Sequence, residues 1–260
     1  MQTSSDPATD PRLRRSAGDS GRPLEELIQV NRFRESLYSF LSRLFSREVD
    51  PGFWHAIQDS IGAIHWVEDS SGCPGHDDIV AAFRGLKEFS RAVERRDAAE
   101  VLRELGRQYA FLFLGVGRET VPLCESAYTG ATATLYQDAY FDVRKKLEDS
   151  GLRKAEGCAE PEDHVAIELA HMACLSRRMG VNLSEGATVG PDVLANQRGF
   201  LTGHLLNWAP DLAERITTVS PGSFYAPAAR LLAGFLRLDQ ELIDFLRVEW
   251  MRNVDVERHA

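Results

Sequence analysis

Three polar side chains lie one helical turn apart in an apolar setting: His164, Glu168 and His171, within Glu160-Pro-Glu-Asp-His-Val-Ala-Ile-Glu-Leu-Ala-His-Met-Ala-Cys-Leu175. Histidine and glutamate at this spacing suit metal ligation, general acid–base work, a peptide-binding pocket or a closed hydrogen-bond network. Glu168-x-x-His171 is half of a di-iron signature, which needs a second Glu-x-x-His and two more glutamates. The chain has no second copy and no His-Glu-x-x-His. A metalloenzyme using His164, Glu168 and His171 therefore stands as the alternative reading, with an incomplete ligand set. Ser126 and Cys124 sit in no Gly-x-Ser-x-Gly context, and no phosphate-cradling or dinucleotide-binding glycine loop occurs. The residues assemble no catalytic site, no metal site and no cofactor site.

The element carrying these residues reads as a central helix running from Pro161 to Met179. Pro161 suits the first helical position, and Glu160, Glu162 and Asp163 suit its positive end. At 100° per residue, Val165, Leu169, Met172 and Ser176 form one stripe, with His164, Glu168, His171 and Leu175 beside it. That projection predicts a half-buried polar stripe, with His171 hydrogen-bonded to Glu168 one turn earlier. The first turn, Glu160 to His164, would be the accessible end.

Around that helix, periodicity of the helical kind recurs and alternating strand patterns do not. A stripe runs from Leu24 to Phe45, and Pro51 restarts the chain with Phe53, Trp54 and Ile57. Further helices are expected from Asp77 to Glu94, after an Asp97 cap, from Leu135 to Glu148, from Pro191 to Trp208, and after Pro210 and Pro221. The last should break near Leu238-Asp239. Residues 116–133 form a long connection, a length often tied to function. The expected architecture is all-α: a single compact domain of about ten helices over residues 23–260, behind a disordered tail over residues 1–22.

Composition narrows the function. Apolar and charged fractions of 43% and 27% are those of a globular protein, so wholesale disorder is excluded. A formal charge of −9 opposes binding to nucleic-acid phosphates and favours a partner carrying positive charge. The four cysteines have no zinc spacing and read as reduced thiols, and no apolar run is long enough to span a membrane. The Arg14-Arg15 pair is followed by polar residues, unlike a twin-arginine export signal.

Three segments, in order and spacing, resemble the TorD/DmsD/NarJ family of redox-enzyme maturation chaperones. They are Tyr109-Ala-Phe-Leu-Phe-Leu-Gly115 with Pro122-Leu-Cys-Glu-Ser-Ala-Tyr128, the Glu160–Leu175 stretch, and Phe200-Leu-Thr-Gly-His-Leu-Leu-Asn-Trp-Ala-Pro210. The resemblance implies a cytoplasmic, non-enzymatic all-α chaperone. Its partner would be the precursor of a molybdenum-cofactor oxidoreductase, bound through its twin-arginine leader, its body, or both, with export delayed until cofactor insertion and folding. It also implies leader binding by Glu160, Pro161, Asp163 and His164, with Glu125, Ser126 and Tyr128 nearby. Asp163 and Glu125 could accept bidentate bonds from guanidinium groups, and Trp54, Trp66, Phe113 and Tyr128 could line a groove. His171 departs from the pattern, in which an aromatic or aliphatic residue commonly precedes the methionine. NarJ-like members assist enzymes that are not exported, which leaves a second client class open. Nothing in the sequence selects between monomer and dimer.

Overall fold

A computed structural model of the protein describes residues 24–63, 72–117, 119–132, 134–185 and 191–259. The expected tail, the Arg14-Arg15 pair and Trp66 lie outside the described residues. Those described form an all-helical bundle with no strand, only an isolated antiparallel bridge between Cys124 and His164. The helices are α1 (Leu24–Ser46), α2 (Pro51–Ala63), α3 (His76–Val93), α4 (Ala98–Phe113), the short α5 (Ser126–Thr129), α6 (Asp138–Asp149), α7 (Val165–Ser184), α8 (Pro191–Phe200), α9 (Leu206–Val219) and α10 (Tyr225–His259). A π-helical turn, Leu201–Leu205, joins α8 to α9.

The central pair is α1 against α7. Leu27, Ile28, Tyr38, Leu41, Leu44 and Phe45 bury one face of α1. Ala166, Ala173 and Gly180, seven residues apart along α7, keep the facing surface low enough for close packing. Asn31 Cβ lies 3.5 Å from where a Cβ on Gly180 would be, and Ser42 Oγ donates to the Ala166 carbonyl at 2.7 Å. The start of α1 therefore meets the end of α7, and the two helices run antiparallel.

The expected break in the last helix is absent: α10 continues unbroken through Leu238-Asp239. Asp239 is buried but paired. Arg34 of α1 donates to its two carboxylate oxygens from Nε at 2.6 Å and from NH2 at 3.1 Å, and Tyr38 OH adds a bond of 2.7 Å. Arg34 NH1 reaches Gln197 of α8 at 2.8 Å and Asn31 at 3.2 Å. A helix register that places Asp239 opposite Arg34 needs continuity, so the polar residue holds the helix instead of ending it. On another face α10 meets the start of α3 through two glycines. Gly75 has φ +76°, and a Cβ there would fall 2.1 Å from the Gly234 carbonyl oxygen.

Two further expectations are corrected. The chain does not end a helix at Trp208 and restart after Pro210; Pro210 lies inside α9. The π turn just ahead widens the helix, so the missing proline N–H falls where a new α ladder is starting. The central helix begins at Val165, four residues later than expected, and residues 161–164 make a turn closed by His164 N to Pro161 O at 3.1 Å.

Of the aromatics that could line a groove, Trp54 and Phe113 take ordinary core packing, the commoner role for such side chains. Trp54 packs on Phe89 and Phe224, and Phe113 packs on Phe45, Tyr109 and Tyr225.

Candidate functional site

The site is built where the segment after α4 returns antiparallel to the start of α7. Val165 N donates to Leu123 O at 2.8 Å and Glu125 N to Asp163 O at 2.9 Å. This short ladder sets Ser126 directly against Asp163. Asp163 Oδ2 accepts from Ser126 N at 2.9 Å and from Ser126 Oγ in a short bond, while Oδ1 has no partner among the described residues. Asp163 is fully buried. It acts as a clasp, and the proton of Ser126 goes to a carboxylate, not to a catalytic histidine.

His164 is the true N-cap of α7, with Nδ1 accepting from Ala166 N at 3.1 Å. An accepting Nδ1 leaves the ring proton on Nε2, which faces Glu160 Oε2 at 3.9 Å. Burial lowers His164 to about 4, so the ring is neutral at physiological pH.

Glu168 is fully buried. Its Oε2 accepts from Trp208 Nε1 at 3.1 Å, and Oε1 has no hydrogen-bond partner among the described residues. Burial first, and then the charge of Glu125, raise it well above the ordinary carboxylate range. Glu125, on the other side, accepts from His204 Nδ1 at 2.8 Å, and His204 Nε2 faces Asp142 Oδ2 at 3.3 Å. Asp142 is exposed on α6. A polar chain thus leads from the interior to the surface through Glu125, His204 and Asp142.

The expected bond from His171 to Glu168 is absent. His171 packs against Phe200 with ring centroids 4.5 Å apart and planes inclined at 57°, and its buried Nδ1 has no partner among the described residues. Burial lowers it too, to about 4. His164, Glu168 and His171 are buried, not half-buried, with the 121–126 segment against His164, Trp208 of α9 against Glu168 and Phe200 of α8 against His171.

A cleft of about 300 Å³ opens between α1, the end of α6, residues 152–160 and α7. His164 and His171 line it with the apolar Leu147, Leu152 and Ile167, and its charged lining is Glu160, Arg153 and Lys154, the last paired with Glu162 at 3.4 Å. Glu160 is half exposed, whereas Pro161, Asp163, His164, Glu125 and Ser126 are buried. Tyr128 is half-buried, packed 5.2 Å from Trp208 with its hydroxyl on the Pro122 carbonyl at 2.9 Å. Among the described residues, no group of three or more His, Cys, Asp or Glu is placed to hold a metal ion. Burial and the nearby Asp163 charge raise the Cys124 thiol, which removes its nucleophilic form.

The three motif segments, distant in sequence, thus meet in one network. Comparison with known proteins gives that convergence a family. The family model for the nitrate reductase delta subunit matches residues 76–214, more than half the chain and the span that contains every motif. The chain belongs to this family, that of TorD and NarJ. Chaperone protein TorD of Vibrio cholerae is 30% identical over 86% of this chain and 97% of its own length. The TorD chaperones of Vibrio parahaemolyticus and Shewanella pealeana are 26% and 24% identical over 83% and 84% of the chain. Within the family frame, sequence reasoning passed over His204, Trp208, Asp142 and Gln137 as site residues. His204 and Trp208 stood in the third motif. Gln137, which ties Ser126 O at 3.1 Å to Thr134 O at 2.7 Å, has no sequence signal.

Proposed function

We propose that this protein is a maturation chaperone for a molybdenum-cofactor oxidoreductase precursor. It binds the precursor's twin-arginine leader in the cytoplasm and delays export until cofactor insertion and folding are complete. The observation that carries the reading is the apolar cleft with the exposed Glu160 carboxylate at its rim and the motif network behind its wall. A leader presents two arginines ahead of an uncharged helix-prone run. The cleft offers that run Leu147, Leu152 and Ile167, and Glu160 offers a guanidinium a charge-assisted bond. The overall charge of −9 draws in a basic peptide.

In this reading Glu160 touches the leader, while Pro161, Asp163, His164, Glu125, Ser126 and Tyr128 shape the surface that it meets. No step of the function needs a nucleophile, cofactor or metal. Family membership and the TorD chaperones supply independent support.

Calorimetry tests it. The unaltered protein should bind the leader of the precursor encoded beside its gene, and Asp163→Ala with His164→Ala should weaken that complex. Raising the salt should weaken the arginine contribution and spare the apolar one. Binding of the client's body with no binding of its leader would instead make this a NarJ-like assembly factor for a client that is not exported. Binding of neither would sink the proposal.

A further inference from the structure

The buried state of Asp163 and Glu125 raises a question about the arginine pair. Carboxylates committed to Ser126 and His204 inside the protein are not open to a guanidinium, and Glu160 is a single charge. A second acidic surface lies at the start of α6. Leu135, Tyr136 and Phe141 are large apolar side chains exposed within seven residues of chain. Tyr140 links the two rings, 5.0 Å from Tyr136 and 5.1 Å from Phe141.

The patch is held in place deliberately. Tyr136 is the one non-glycine residue with positive φ, +61°, among the described residues. Such a conformation in a bulky residue is costly and persists where neighbours impose it. The adjoining Gln137 places its side-chain amide nitrogen, with two N–H groups to share, among the carbonyls of Ser126, Thr132 and Thr134. The Asp163–Ser126 clasp therefore also anchors the aromatic patch.

Charge complementarity identifies the occupant. Asp138 and Asp142 lie one turn apart on α6, with Phe141 between them. Both are exposed; Asp138 has no partner among the described residues, and Asp142 uses only one oxygen, toward His204. Of the later cations of α6, Arg144 pairs with Glu148 and also bonds the Tyr140 hydroxyl, Lys145 pairs with Asp149 within electrostatic reach of Asp142, and Lys146 sits in the last turn, where the helix dipole favours it. Another exposed apolar group, Phe111, Leu114 and Val116, lacks this feature, since its neighbouring acid Glu119 is bonded to Arg215.

We infer that Asp138 and Asp142, flanked by Tyr136 and Phe141, form the seat for the leader's arginine pair, with the apolar run passing along α6 into the cleft. Aromatic faces beside carboxylates stack the guanidinium plane while the oxygens take its N–H groups. From Asp138 to Leu147 of the cleft is about 14 Å along the axis at the α-helical rise, and because Leu147 lies on the opposite, buried face of α6 the run crosses the helix obliquely, a path of about six or seven extended residues. The inference rests on the leader-binding reading above and locates its charged half.

Fluorescence anisotropy with two synthetic peptides separates the two ideas. One peptide carries an adjacent arginine pair before an uncharged Leu/Ala/Val run; the other has both arginines replaced by glutamine. Asp138→Asn with Asp142→Asn should weaken the arginine peptide about tenfold, the scale of a lost charge-assisted bond, and leave the glutamine peptide unchanged. Asp138→Asn alone, which disturbs no contact of the fold, should give part of that loss. Phe141→Ser should weaken both peptides. The seat is overturned if the double variant binds the arginine peptide as tightly as the unaltered protein while Glu160→Gln weakens it. Failure of the unaltered protein to bind either peptide overturns the leader reading itself.

Discussion

Two buried polar clusters stand in this bundle, and they are built to opposite rules. Around Arg34 every charged group is answered: the guanidinium reaches Asp239, Gln197 and Asn31, and Asp239 is also met by Tyr38. Around Glu168 the answers are incomplete: Asp163 Oδ1, Glu168 Oε1 and His171 Nδ1 are buried without partners among the described residues. The first cluster ties α1, α8 and α10 together and ends there. The second opens toward a cleft at His171 and toward the surface at Asp142. Unpaired buried atoms cost stability, so a chain that retains several in one place is using that place for something besides folding.

Breaking the closed cluster should have the largest effect. Arg34→Met strands the Asp239 carboxylate in the core and should cost about 3–5 kcal/mol, read from the urea unfolding midpoint. Adding Asp239→Leu should recover most of it. A single-variant loss below about 1 kcal/mol would mean that the two clusters do not differ as described.

The open cluster should dominate the pH response. His164 and His171 are held at about 4 against an ordinary 6.5. The unfolded chain binds their protons first, so their stabilisation is present above about 6.5 and is lost as pH falls toward 4, on the order of 3 kcal/mol per histidine. Thermal unfolding of His171→Phe should show about half of that acid sensitivity, with the new ring keeping the contact with Phe200. Glu168 has the opposite sign. Its folded state holds a proton that the unfolded chain has released, so its contribution is full below the ordinary carboxylate range and declines as pH rises above it.

Smaller effects sharpen the same contrast. Ser126→Ala removes the clasp on Asp163 and should cost about 1–2 kcal/mol, with faster amide exchange at Gln137, whose N–H faces Ser126 Oγ at 3.4 Å. Glu168→Gln should be the mildest, within about 1 kcal/mol at neutral pH, because it keeps a neutral group and an acceptor for Trp208 Nε1. A large loss there would show that Glu168 is ionised.

Much of the architecture was legible from periodicity. The stripe of α1, the Asp97 cap of α4 and the all-helical class follow from local pattern, and Asp97 does accept from Glu100 N at 3.1 Å. The misread points share one cause. The supposed break at Leu238-Asp239 is a core ion pair, the supposed start at Pro161 is a turn held by the 121–126 segment, and the supposed bond from His171 to Glu168 loses to Trp208. Each was judged by its neighbours in sequence and decided by a partner far away in it.

The sequence alone determined an acidic all-helical chain of the TorD and NarJ family, and its motifs marked the Glu125-Ser126 and Asp163-His164 segments as candidates. Tertiary structure decided what those residues face. It turned Asp163 and Glu125 inward and left Glu160, Asp138 and Asp142 outward. The reason is physical. Helical periodicity reports the side of its own helix on which a residue lies, whereas burial and pairing depend on whichever segment packs across that side.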